Sequence, residues 1–209
     1  MSGFLGKKFW ILVVAAAALL TQSNNGFAAI DPAGIAPLGL ETSIPFGWVD
    51  FCQRHPEECQ DNDQVAQDIN LTSEALRKIS QVNLQVNKSI DPITDQDQWG
   101  VIDQWDFPSQ GRGDCEDYAL LKRQKLIESG FPKSALLITV VKEQNGDGHS
   151  VLTVKTDRGD YVLDNLNNQV RLWNKTNYRF VKRQSQISPN IWVAIETGST
   201  VTQIGRAHV

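Results

Sequence analysis

The chain has 209 residues, 41% of them hydrophobic and 21% charged, with a formal net charge of −4. That length suits a single domain with a sizeable core. The mildly acidic balance, without a basic stripe, excludes nucleic acid as the main partner.

The N-terminus has the pattern of a secretory signal peptide. Lys7 and Lys8 precede an apolar run from Trp10 to Leu20, and the small residues Gly26, Ala28 and Ala29 follow. Residues 1–29 are therefore expected to be a leader, cleaved near Ala28 or Ala29, that sends the protein out of the cytoplasm. The rival reading, an uncleaved anchor, suffers from a run that is short for a full span. The leader has two Lys and no acid, so its removal leaves 180 residues and takes the charge from −4 to −6. No later stretch is apolar enough to cross a membrane, so the mature form is not expected to span one.

Residues 30–50, rich in Pro and Gly, read as an extended arm. Cys52 and Cys59 follow, only seven positions apart. In an exported chain such a pair is most simply a disulfide, worth roughly 2–3 kcal/mol in the chain-entropy picture. The alternative is zinc on Cys52, His55 and Cys59, but a structural zinc site usually needs a fourth ligand. Either reading leaves Cys115 unpaired.

Residues 61–70 are polar. A helix is predicted from Thr72, with Thr72 or Ser73 as cap and Glu74 in its first turn. Leu76, Ile79, Val82 or Asn83, Val86 and Ile90 keep a helical period, and Asp91-Pro92 ends it. Residues 91–113 read as a loop holding Trp99 and Trp105. The acids Asp61/Asp63 and Asp91/Asp95/Asp97 lack the Gly and spacing of an EF-hand and read as solvated. Trp99 and Trp105 suit either a rim beside the site or the core.

A second helix is predicted over Cys115 to Ser129, with Asp114 as N-cap, Gly130 at its C-terminal end and Pro132 beyond. Strands are expected at Ala135–Val141, His149–Lys155 (alternating polar and apolar), Tyr161–Leu163, Val170–Trp173 and Ile191–Ile195, separated by Gly- and Asp-rich turns. One long helix, one helix headed by a thiol and an antiparallel sheet make an α+β domain.

Cys115, His149 and Asp164 are the candidate catalytic residues. A thiol attacks as thiolate, and a helix N-terminus or a neighbouring imidazolium favours that form. His149 can accept the thiol proton and return it to a leaving amine. Asp164 can hold the imidazole through its other nitrogen. Each residue has a plainer reading: a buried small side chain for Cys115, a polar hairpin flank for His149 and a turn starter for Asp164. Their order and their helix–strand–strand setting favour catalysis.

The segments Gly113-Asp114-Cys115-Glu116-Asp117-Tyr118, Gly148-His149-Ser150-Val151-Leu152 and Val162-Leu163-Asp164-Asn165 carry a family resemblance. They resemble the bacterial transglutaminase-like cysteine peptidases, whose best-known members are periplasmic proteases that cut biofilm adhesins. The resemblance runs from Phe46 to Ile195. It implies a papain- or transglutaminase-like core over residues 30–203, with Cys115 as nucleophile, His149 as base and Asp164 as orienting acid. It also implies a periplasmic location, a protein substrate at the cell surface and an inner-membrane regulatory receptor. It further implies calcium on Asp114 and Glu116, with Asp117 as a third candidate, and clustered carboxylates suit that ion. The loop from Trp105 to Cys115 is shorter than in the adhesin-cleaving members, which puts the substrate in doubt. An acyl transferase would use the same triad, and a non-catalytic binding module is a third reading. Residues 204–209 are what ATC GGA AGA GCA CAC GTC, a common sequencing adapter, encodes, so this tail is expected to be non-native.

Overall fold

The computed structural model describes residues 34–61 and 65–196. The expected leader and the expected non-native tail lie outside them. Among the described residues no helix is long and apolar enough to cross a membrane.

The elements, in chain order, are β1 (Leu38–Thr42), α1 (Phe46–Arg54), α2 (Ser73–Ser89), β2 (Asp91–Pro92), α3 (Asp95–Trp99), β3 (Arg112–Gly113) and α4 (Cys115–Glu128). They are followed by β4 (Leu136–Lys142), β5 (Gly148–Thr156), β6 (Gly159–Leu163), β7 (Arg171–Leu172), β8 (Arg179–Gln184) and β9 (Trp192–Ile195). Seven strands form one antiparallel sheet in the order β1-β9-β8-β4-β5-β6-β7, and β2 and β3 form a small parallel pair. The expected α+β class is the observed one.

Helix α2 begins where the sequence places it. The Thr72 hydroxyl accepts the Ala75 N–H at 3.1 Å, and Ile79, Val82, Asn83 and Val86 form its buried stripe. Helix α4 ends as expected: Gly130 follows Ser129 in the left-handed region, at φ 89°. Two apolar clusters sandwich the sheet. The larger joins α1, α2 and α4 to Leu136, Ile138, Leu152, Val154 and Leu163. The smaller covers the opposite face with Val141, Val151, Val162, Phe180 and Ile195.

Four expectations are corrected. The arm at residues 30–50 contains β1, held by β9, and the start of α1, whose Trp48 and Phe51 are fully buried. Such pairing depends on residues about 150 positions away, which no local signal reveals. The loop at 91–113 holds α3, capped by the Thr94 hydroxyl on the Asp97 N–H, and the β2–β3 pair. Strand β5 has no solvent-facing side, and its polar residues are buried with the rest. Every residue after Gly148 is buried, because α4 covers one side and the second cluster the other. Lys155, on that strand, reaches the buried Asp160 carboxylate at 2.7 Å. Strand β8 (RFVKRQ) was not anticipated; it lies inside the sheet between β4 and β9, with Arg183 and Gln184 buried. Its charged residues hide a strand signal.

Cys52 and Cys59 are joined in a disulfide with their Cα atoms 5.6 Å apart, which resolves the choice against zinc. His55 instead meets Asp106 Oδ1 at 3.0 Å and stacks on Phe51.

Candidate active site

Cys115 is the first residue of α4. His149 stands near the start of β5 and Asp164 just past the end of β6. In the β5–β6 register Thr153 faces Val162. Side chains alternate along strands, so His149 and Val151 share a sheet face with Val162 and Asp164. Both His149 and Asp164 are buried, and His149 Nε2 meets Asp164 Oδ1 at 3.0 Å.

Asp164 is held on every side. Its Oδ1 also accepts the Leu166 N–H at 3.0 Å, and its Oδ2 accepts the Tyr178 hydroxyl at 2.6 Å. Burial alone would raise its pKa, but the bonds from His149, Tyr178 and Leu166 outweigh it and hold the carboxyl below its ordinary value. An ionised Asp164 keeps the proton of a neutral imidazole on Nε2, which leaves the Nδ1 lone pair free to accept a proton. The loop beyond Asp164 is tied to α2. Asn83 Nδ2 donates to the carbonyls of Asn167 and Asn168 at 2.9 and 3.1 Å, and Asn87 Nδ2 donates to the Asp164 carbonyl at 2.9 Å.

Cys115 and His149 line one cleft of about 500 Å³ with Asp114, Glu116, Ser150 and Trp105. The Ser150 N–H donates to the Cys115 sulfur at 3.3 Å. The thiol itself points to Glu116 Oε2, 3.0 Å away, and is not hydrogen-bonded to the imidazole. The lowered thiol pKa expected at a helix N-terminus is overridden. Burial, and then the Glu116 carboxylate, push it well above its ordinary value.

The acids around the thiol divide into two groups. Asp95, Asp114 and Glu116 bring one carboxylate oxygen each to within 4.8 Å of one another. Asp114 is the N-cap residue by position, but its side chain makes no cap bond. Oδ2 accepts the Asp95 N–H at 3.3 Å, and Oδ1 is buried without a hydrogen-bond partner. Burial, and then the neighbouring Asp95, push Asp114 up to about 6; burial and Asp114 push Glu116 up to about 9. Asp117 lies outside this set. Its Oδ1 accepts the Asp106 N–H at 2.8 Å, and burial pushes it up to about 8.

Asp95 corrects the reading of the Asp91/Asp95/Asp97 segment as solvated. Asp91 and Asp97 are exposed, but Asp95 is 2% exposed and accepts the Gln104 N–H. The Thr94 cap ahead of it is the one local signal that could have placed it on a structured turn. Trp105 is a core residue that also reaches the cleft, 6.1 Å from Trp48 and 6.3 Å from Trp192 between ring centroids; Trp99 is exposed. Tyr178 and Lys122 were also missed. Lys122 is buried two turns along α4 from Cys115, with its ammonium 5.7 Å from the Tyr118 ring centroid. Burial pushes it down to about 7, against the pull of Asp164.

Comparison with known proteins gives the family. The model described as bacterial transglutaminase-like cysteine proteinase (BTLCP) matches residues 38–200. No curated protein matches. Among solved structures, calcium-bound LapG of Legionella pneumophila is 21% identical, covers 61% of this chain and 72% of its own, and has a TM-score of 0.49. The EGTA-treated form of that protein is 23% identical, covers 58% and 67%, and has a TM-score of 0.48. The match to the family model takes in the thiol-bearing helix and both strands beside it, so the chain belongs to the bacterial transglutaminase-like cysteine proteinases and is a cysteine peptidase.

Proposed function

We propose that the mature protein is an exported, periplasmic endopeptidase that cuts a surface or exported protein, as biofilm adhesins are cut, through Cys115, His149 and Asp164. The observation that supports this most directly is the shared cleft of Cys115 and His149, with His149 held by Asp164 at 3.0 Å. His149 Nδ1 takes the thiol proton, and the Cys115 sulfur adds to the scissile carbonyl carbon. The imidazolium then protonates the departing amine as the C–N bond breaks, which leaves a thioester on Cys115. Water gives a proton to His149 and attacks that thioester. The acid product leaves, and the sulfur regains its proton.

The proposal extends to a calcium ion held by Asp95, Asp114 and Glu116. The donor set fits a hard cation: three converging carboxylates, one with a buried oxygen lacking a partner. Bound there, the ion supplies positive charge against the carboxylates that now raise the thiol pKa. Asp117, occupied by the Asp106 N–H, is left as a support for the loop.

The test is mass spectrometry of surface proteins incubated with the wild-type protein and with Cys115→Ala. A single peptide-bond cut made by the wild type alone is the expected result. Incorporation of an added amine without a cut would make the protein a transferase, and equal effects of both forms would make it a binding module.

A further inference from the structure

The His149–Asp164 pair has a third partner that the reaction steps above do not use. The Tyr178 hydroxyl donates to Asp164 Oδ2 at 2.6 Å, the oxygen that His149 does not contact. The same ring lies beside the imidazole, with centroids 5.3 Å apart and planes at 43°. One side chain therefore fixes the orienting acid and flanks the base.

The sheet positions Tyr178 for this. Tyr178 comes just before β8, and its half-buried ring packs on the second cluster of Val141, Val151, Val162 and Phe180. In the sheet register His149 faces Val141, which in turn faces Phe180, two residues beyond Tyr178. The ring is thus anchored in the cluster that underlies His149. Burial, and then the Asp164 carboxylate, keep the phenol protonated, so it acts as a donor throughout.

We propose that Tyr178 is a positioning residue of the peptidase reaction, locking the Asp164 carboxylate in the orientation that aims the His149 ring at Cys115. This inference rests on the triad reading above. A buried carboxylate oxygen without a donor is costly, so the loss of this hydroxyl is felt at Asp164 before it is felt anywhere else. The titratable groups facing the Asp164–Tyr178 pair are His149 from β5, Lys122 and Cys115 from α4, and Glu143 from the turn after β4. Tyr178→Phe changes none of them.

The probe is the rate of Cys115 alkylation by iodoacetamide across pH, with the whole mature protein in excess calcium. Tyr178→Phe keeps the ring in the cluster. It is expected to slow alkylation roughly tenfold or more at each pH, since Asp164 loses the donor that fixes its carboxylate. As a second variant, 3,5-difluorotyrosine at position 178 keeps both the shape and the donor, and is expected to restore the wild-type rate. A Tyr178→Phe rate superimposable on wild type, or a difluorotyrosine rate as low as that of Phe, overturns the proposal. Failure of the triad reading itself would appear elsewhere, as full turnover by Cys115→Ala or His149→Ala.

Discussion

The backbone N–H of Asp95 donates to Oδ2 of Asp114 across 3.3 Å, tying the first residue of α3 to the residue that precedes the Cys115 thiol. This bond aligns the Asp95 carboxylate with those of Asp114 and Glu116. Asp95→Asn is therefore expected to weaken calcium binding about tenfold or more, as read by titration calorimetry. An affinity within twofold of the wild type would remove Asp95 from the site. Asp117→Asn is expected to leave the affinity much less affected.

Cys115→Ala and His149→Ala are expected to abolish turnover with melting temperature nearly unchanged, since neither side chain anchors the core clusters. Asp164→Asn should lower kcat by roughly 10²–10⁴-fold by disturbing the tautomer and the ring angle. Residual activity of Cys115→Ala near the wild-type rate would refute the nucleophile assignment.

The buried acids are expected to make the protein in EGTA sensitive to base. Asp114 at about 6, Asp117 at about 8 and Glu116 at about 9 all bind a proton more tightly in the fold than their ordinary values of 3.8, 3.8 and 4.5. Their stabilising contribution is complete below the unfolded values and is lost as pH rises through the folded ones. Melting temperature in EGTA should therefore fall from about pH 5 to about pH 9. Added calcium, which favours the ionised carboxylates, should flatten that slope. A calcium-free melting temperature that rises over this window would contradict the burial of these groups.

Asn83 and Asn87 sit one turn apart on α2 and hold the loop that carries Asp164. Asn83→Ala takes the Asn83 donor from the Asn168 carbonyl and leaves the Asn167 carbonyl only the longer 3.5 Å bond from Asn87, and should cost about 1–3 kcal/mol in urea unfolding. Asn87→Ala should lower kcat more than it lowers stability, because its bond ends on Asp164 itself. Equal kcat in Asn87→Ala and the wild type would show that the loop keeps its shape without it.

The placement of Cys115 at the start of a helix, and of His149 and Asp164 at the ends of two paired strands, was legible because those elements carry strong local signals. A helix with Asp114 at its N-cap position begins at Cys115, and tight turns separate the strands beside His149 and Asp164. Asp95 and Tyr178 were not legible, since each acquires its role from a partner 19 or 14 positions away. Asp95 lies in a run that looks like solvated acid, and Tyr178 comes just before a strand disguised by Arg and Lys. Strand β1 was hidden for the same reason: its register exists only once β9 is in place.

The contact between Trp48, Trp105 and Trp192 gives the protein its own optical reporter. Gly47 lets α1 press against the Trp105 ring, where any side chain would collide. Trp105 thus has one edge in a dry aromatic cluster and another on the cleft beside the thiol. Whatever fills the cleft changes the surroundings of that indole, so a shift in tryptophan emission is the expected sign of occupancy. A peptide fragment of the true substrate can be recognised by that shift in a Cys115→Ala protein that binds and does not cut.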